Sequence, residues 1–257
     1  MILSRRVSLG GVQLDELHES IVIRSVDPGV PRENVTAADR MGGFGQRITG
    51  EHWQTLEASV SYAIDIPKTR LAERREVFDT VNTWALKKGW LRTNERPGKR
   101  MYVDKVVVPG SMDLRDWTDE YTITFRAYSV PFWQDATATT VKSKTLASGS
   151  VTAEIGGNVK GVIDVSFQNK SGKTIDNFWV QANGNRITMS NLGLGGSATL
   201  TISHTTTGLL QFKIGSTGVY TKYTGADDLY VNPGNTTVTF SADRAGILTV
   251  TNYGRWV

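Results

Sequence analysis

Between Leu56 and Ile66 apolar and polar residues alternate without a break. Leu56, Ala58, Val60, Tyr62, Ile64 and Ile66 fall on one side, and Glu57, Ser59, Ser61, Ala63 and Asp65 on the other. A period of two fits a strand with one face in a core and the other in water, and such a strand needs hydrogen-bonded neighbours on both edges. The sequence supplies them. Val7-Ser8-Leu9 and Val12-Gln13-Leu14 flank Gly10-Gly11, a tight-hairpin signal because both turn positions tolerate positive φ. Ile21–Val26, the region Met101–Val108 closed by Pro109-Gly110, and the alternating Tyr121–Tyr128 complete the set. Pro67 opens the one convincing helix, at about residues 69–88. Leu71, Phe78, Val81 and Ala85, with Val77 and Trp84 beside them, make its apolar stripe, while Arg70, Glu73, Arg74 and Glu76 are expected outward and Gly89 is expected to cap it. Asp27 to Gly50 reads as a long polar loop.

Composition changes near residue 135. Residues 1–135 carry 19 Lys and Arg against 19 Asp and Glu, whereas 136–257 carry 10 against 6; threonines go from 10 to 20 across the same boundary. Thr-, Val- and Gly-rich sequence with frequent turn signals is sandwich or barrel sequence. Short runs at Val151–Ile155, Val162–Phe167, Ile175–Gln181, Arg186–Met189, Thr199–Ile202, Leu209–Ile214, Thr236–Phe240 and Ile247–Thr251 give about eight strands, punctuated by turns such as Asn183-Gly184-Asn185. The expectation is a mainly β chain of two domains: 1–135, β-sandwich-like with one helix, and 136–257, a jelly-roll-like β-sandwich.

The chemistry the sequence excludes is as informative. With no cysteine among 257 residues there is no disulfide, thiolate metal site or cysteine nucleophile. The net charge of +4 comes from scattered residues (Lys142, Lys160, Lys173, Arg186, Lys213, Lys222, Arg244), not the stripe that phosphate-backbone binding needs, so no nucleic-acid partner is expected. Ser4-Arg5-Arg6 lacks the apolar run of an export signal, and no segment reaches the roughly 18 apolar residues of a membrane span. His18, His52 and His204 are far apart and read as surface or turn residues; no metal-ligand spacing accompanies them. Gly42-Gly43-Phe44-Gly45 and Gly193-Leu194-Gly195-Gly196 are not followed by Lys-Ser or Lys-Thr, so neither is a phosphate loop. Asp227-Asp228 would point to opposite faces of a strand, the wrong geometry for a pair of hydrolytic carboxylates. No enzyme, cofactor or metal is expected. Two binding surfaces are candidates. One is the polar loop, with Arg40, Met41, Phe44 and Arg47 as subunit-interface residues, since so long a loop in a compact domain needs something to pack on. The other is a glycan site in the second half: Trp179, Tyr220, Tyr223 and Tyr230 for stacking, with Asn183, Asn185 and Arg186 for hydrogen bonds, although either Phe178 or Trp179 must instead fill the core.

The order of features resembles the siphophage distal tail protein family, Dit. The Gly-Gly hairpin Val7–Leu14 precedes the long polar stretch with Gly42-Gly43. The strand ending in Ile64-Asp65-Ile66 leads into the helix and then Trp90–Thr93. Tyr121–Tyr128 runs into Val130-Pro131-Phe132-Trp133, and the sequence closes on Tyr253-Gly254-Arg255-Trp256-Val257. The resemblance implies a ring, typically a hexamer, at the distal end of the tail in the virion, built in the host cytoplasm. First domains would join the tail tube protein to the tail-tip hub protein. Second domains, galectin-like sandwiches, would project outward, where host-surface carbohydrate is the alternative partner. The galectin sugar-binding signature is missing here, so sugar recognition does not carry over.

Overall fold

The computed structural model describes residues 5–39, 46–112 and 120–257. The chain divides into two compact units, Met1–Trp133 with Val257, and Gln134–Trp256. Both are mainly β and sandwich-like. In the first unit the elements run β1 (Val7–Leu9), β2 (Val12–Gln13), β3 (Ile21–Asp27), β4 (Glu33–Asp39), β5 (Gln46–Trp53) and β6 (Leu56–Ile64). Helix α1 (Leu71–Ala85) follows, then β7 (Gly89–Thr93), β8 (Lys99–Val103), β9 (Lys105–Val107) and β10 (Glu120–Ala127). One sheet has the order β2-β1-β7-β8 and another β3-β6-β10-β9, all antiparallel.

The alternation read from Leu56 onward is the inner face of β6: Leu56, Ala58, Val60, Tyr62 and Ile64 are buried. Gly10 and Gly11 take φ of 60° and 89°, as the two-residue turn demands. The helix covers the β6–β10 face, with Phe78 edge-on to Tyr121 and Trp84 edge-on to Phe125, centroids 5.1 and 6.1 Å apart. The Trp84 indole N–H donates to Val12 O at 3.1 Å.

Two details of the helix differ from the sequence pattern. Arg74, expected outward, is buried, while Leu71 of the expected stripe is 42% exposed. The helix begins just past the end of β6, where the carbonyls of Ile64 and Ile66 need donors inside the fold, and the Arg74 guanidinium donates to both. Gly89 is not the helix cap. The helix ends at Ala85 with Leu86 as C-cap, Lys88 takes the left-handed conformation (φ 54°), and Gly89 opens β7.

The stretch expected as a loop is a β-hairpin. Strands β4 and β5 pair from Glu33↔Trp53 to Asp39↔Gln46, with a bulge after Thr36, as a two-stranded sheet of their own. It escaped a period-two reading because Glu33–Ala38 are exposed on both faces, so no apolar alternation marks the strand. Met101–Val108 likewise holds two strands, β8 and β9, which part at Asp104; its carboxylate accepts from the amides of Tyr128 and Ser129.

Strand β11 (Trp133–Asp135) crosses the boundary between the units. Next come β12 (Thr139–Lys142), β13 (Leu146–Ile155), β14 (Gly161–Asn169), β15 (Phe178–Ala182), β16 (Asn185–Met189), β17 (Thr199–His204) and β18 (Leu210–Ile214). The rest are β19 (Thr217–Gly218), β20 (Tyr223–Gly225), β21 (Tyr230–Val231), β22 (Gly234–Asn252) and β23 (Arg255–Trp256). The order is β19-β18-β17-β14-β22-β15-β16-β20, with β12 and β13 also on β22 and β21 on β14. Thr236–Phe240 and Ile247–Thr251, read as two strands, are one 19-residue strand, β22. Its first half pairs with β13 and β15 and its second with β12 and β14. Asn169 is buried and pins two loops by donating to the carbonyls of Lys173, Leu194 and Gly195.

Phe178 settles which neighbouring aromatic fills the core. It is buried 4.8 Å from the Phe167 ring, and Trp179 faces away from it. Phe178→Ala is expected to cost about 3–5 kcal/mol in urea unfolding and Trp179→Ala about 1 kcal/mol or less. The reverse ranking would mean the β15 register is wrong.

Candidate functional site

The first candidate surface is the β4–β5 arm. Its base is anchored by Trp53, edge-on to Phe132 with centroids 4.9 Å apart, and by Gln54, which donates to Asn34 Oδ1 at 2.7 Å and to Arg32 O through its amide at 2.8 Å. Beyond the base, Val35 is 51% exposed. Arg40, Met41 and Phe44 lie outside the described residues; Arg47 sits on β5 opposite Ala38. A two-stranded ribbon whose first strand is exposed from Glu33 to Ala38 is marginal alone in water, and becomes stable when a third strand or an apolar surface covers it.

The glycan candidates separate onto two faces. Trp179 on β15 lies opposite Thr188 on β16, and the Arg186 guanidinium stacks over its ring at 4.2 Å. Asn183 (φ 49°) and Gly184 form the turn of the same hairpin, and Asn185 reaches back to Asn183 O at 3.5 Å. Trp179, Asn183, Asn185 and Arg186 therefore belong to one hairpin. Tyr223 pairs with Met189, a core residue, so it points to the opposite face. There it stacks on Phe212 at 4.5 Å and donates its hydroxyl hydrogen to Ala226 O. Tyr220 stands edge-on to the same Phe212 ring at 5.8 Å. Tyr230 lies under the Lys160 ammonium, 4.4 Å from its ring centroid. No single platform unites these aromatics.

A cluster the sequence reading passed over lies in the second unit. His204, at the end of β17, is not a surface residue: its side chain is 10% exposed. Its Nδ1 lies 2.6 Å from Asp164 Oδ1, and its Nε2 lies 2.9 and 3.0 Å from the two oxygens of Asp228. Asp164 also accepts the His204 backbone N–H at 2.9 Å. Burial by itself would lower the imidazole pKa, but the hydrogen bonds to Asp164 and Asp228, and then their charges, outweigh it and raise it to about 9. Burial lowers the Arg255 pKa, while the nearby charges of Asp228, Tyr230 and Asp164 act the other way. With both ring nitrogens held by carboxylates, His204 has no free lone pair for base catalysis. Among the described residues no group of three or more His, Asp or Glu is placed to hold a metal ion, and no helix is long and apolar enough to cross a membrane.

No protein-family model and no curated protein matches the sequence. Solved structures do match the fold. The Dit protein (gp 19.1) of phage SPP1, a paradigm of the hub adsorption apparatus of phages infecting Gram-positive hosts, aligns over 97% of this chain and 98% of its own, with a TM-score of 0.64 at 12% identity. The chain has the fold of a siphophage distal tail protein. The phage P2 baseplate in its activated conformation, with Ca or with Sr, aligns over 96% of the chain and 98% or 97% of its own. Those TM-scores of 0.44 and 0.45, at 7% and 9% identity, are too low to carry an argument.

Within this distal-tail fold, the one signal that pointed toward the cluster was period two: the alternation of Leu200 and Ile202 continues to His204. Asp164 had none, because what joins it to His204 is the register of β14 against β17. The raised pKa has a signed consequence. The folded value lies above the ordinary 6.5, so the stabilisation is complete below about pH 6.5 and is lost as pH rises through about 9. Unfolding free energy should fall by roughly 3 kcal/mol across that window, and His204→Gln should flatten the slope. Parallel pH profiles for the two proteins would show that His204 is not the group responsible.

Proposed function

We propose that this chain is a structural component of a long-tailed phage, a ring-forming adaptor at the distal end of the tail. The observation that carries the reading is the β4–β5 arm, a two-stranded ribbon exposed from Glu33 to Ala38 that needs a second surface to be stable. The fold likeness to SPP1 Dit supports it. In a closed ring each arm lies on the next copy, a heterologous head-to-tail contact that uses one arm and one receiving surface per subunit. A hexamer is the expected ring, with the tail tube protein on one side and the tail-tip hub protein on the other. The part is mechanical and turns over no substrate. It is made in the host cytoplasm and ends in the virion.

Host-surface carbohydrate is a second reading, favoured by the outer face around the β15–β16 hairpin. There Trp179, Asn183, Asn185 and Arg186 share a hairpin beside the uncharged Thr188, Thr239 and Ser241. Tyr220 and Tyr223 do not belong to that surface. Binding of wild-type protein to host wall polysaccharide, abolished in Trp179→Ala, is the expected result; no binding by wild type removes this reading.

The assembly reading is tested on the arm. Deleting Arg40–Gly45, or the single change Val35→Asp, should leave a folded chain with unchanged circular dichroism that no longer assembles on a sizing column. Rings indistinguishable from wild type in both variants would overturn the role given to the arm.

A further inference from the structure

His204 reports its own protonation state through its neighbours. Ionised carboxylates only accept hydrogen bonds, so a ring with Asp164 on Nδ1 and Asp228 on Nε2 must donate from both nitrogens. Only the imidazolium has two N–H groups. The partners come from different parts of the second unit: Asp164 from β14, His204 from β17, and Asp228 from the segment before β21. Arg255 of β23 adds a second positive charge that feels both carboxylates and Tyr230 of β21, whose ring carries Lys160 on one face. Asp227, next in the chain, is exposed. Two carboxylates, one imidazolium and one guanidinium balance in charge.

Besides this cluster, the segment is held at Ala226, whose backbone N–H donates to Arg186 O at 2.8 Å. Strand β21 has two paired residues, Tyr230 and Val231, against β14. Asp228 also accepts the Leu229 amide at 2.7 Å, and the Leu229 carbonyl accepts from Ile163. We infer that Asp164, His204 and Asp228 form a protonation-dependent clasp that fixes the Ala226–Asp228 segment to β14 and β17 at neutral pH and loosens it in alkaline solution. Loss of the proton leaves the ring one N–H for two acceptors. One carboxylate then loses its donor, and two like charges face each other in a site with little water. Leu229 and Val231 keep their places in the core, so the change is local.

The test is hydrogen exchange on the full chain near pH 7 and near pH 10, corrected for intrinsic exchange rates. Amides of residues 227–229 should exchange about tenfold faster in the alkaline sample after correction, with β14 from 165 to 167 unchanged. His204→Gln should show the loosened pattern already at pH 7 and no further step. If that variant does not fold, the wild-type imidazole titration followed by NMR decides, and only three histidines compete for assignment. A His204 midpoint at or below the ordinary imidazole value, or corrected exchange that stays flat through its titration, would overturn the clasp.

Discussion

A β-strand presents two faces and two edges, and a stable strand must account for all four. In this chain the core covers one face of β6, β10, β14, β15 and β22, and antiparallel neighbours take their edges. β6 is the clearest case, with β3 on one edge, β10 on the other and α1 over its apolar face. β22 does the same for the second unit: 19 residues long, it shares its edges among β12, β13, β14 and β15. The β4–β5 arm stands outside this accounting. Its two strands satisfy each other's inner edges, and β4 is exposed from Glu33 to Ala38. The assembly reading starts from that imbalance.

Without cysteine, the cross-links between distant segments are polar and buried. Arg74 joins the helix to the end of β6, Asn169 pins two loops of the second unit, and His204 joins three separate segments through two carboxylates. Such groups are costly when half-satisfied, since an unpaired buried donor or acceptor loses its water without recompense. They specify one arrangement strongly and give little if any of it back as net stability. Hydrophobic burial in the cluster from Val151 to Val250 supplies the driving force of the second unit.

The mainly β, sandwich-like character of the chain was legible because period two is a local signal. The Gly10-Gly11 turn, β6, β10 and the existence of α1 were all written in spacing. What the spacing hid has physical causes. A strand exposed from Glu33 to Ala38 carries no apolar alternation, so Asp27–Gly50 looked like a loop. Arg74 looked like a solvated charge because the carbonyls that take it inward belong to β6, not to its own helix. The two halves of β22 looked like separate strands because its partners change midway. The candidate binding residues were legible only as types. Trp179 and Tyr223 look alike in sequence, and sheet register puts them on opposite faces; Asp164 and Arg255 carried no sign of His204 at all.

The fold places this chain beside the SPP1 distal tail hub protein at 12% identity, a level at which architecture persists while surface chemistry is free to change. Whether the chain closes on copies of itself is therefore the central claim, and the native mass of the purified full-length protein tests it most directly, by mass photometry with negative-stain images of the same sample. The account predicts ring-shaped particles of about six 28.2 kDa subunits related head-to-tail. A monomer at every concentration up to the solubility limit would contradict it.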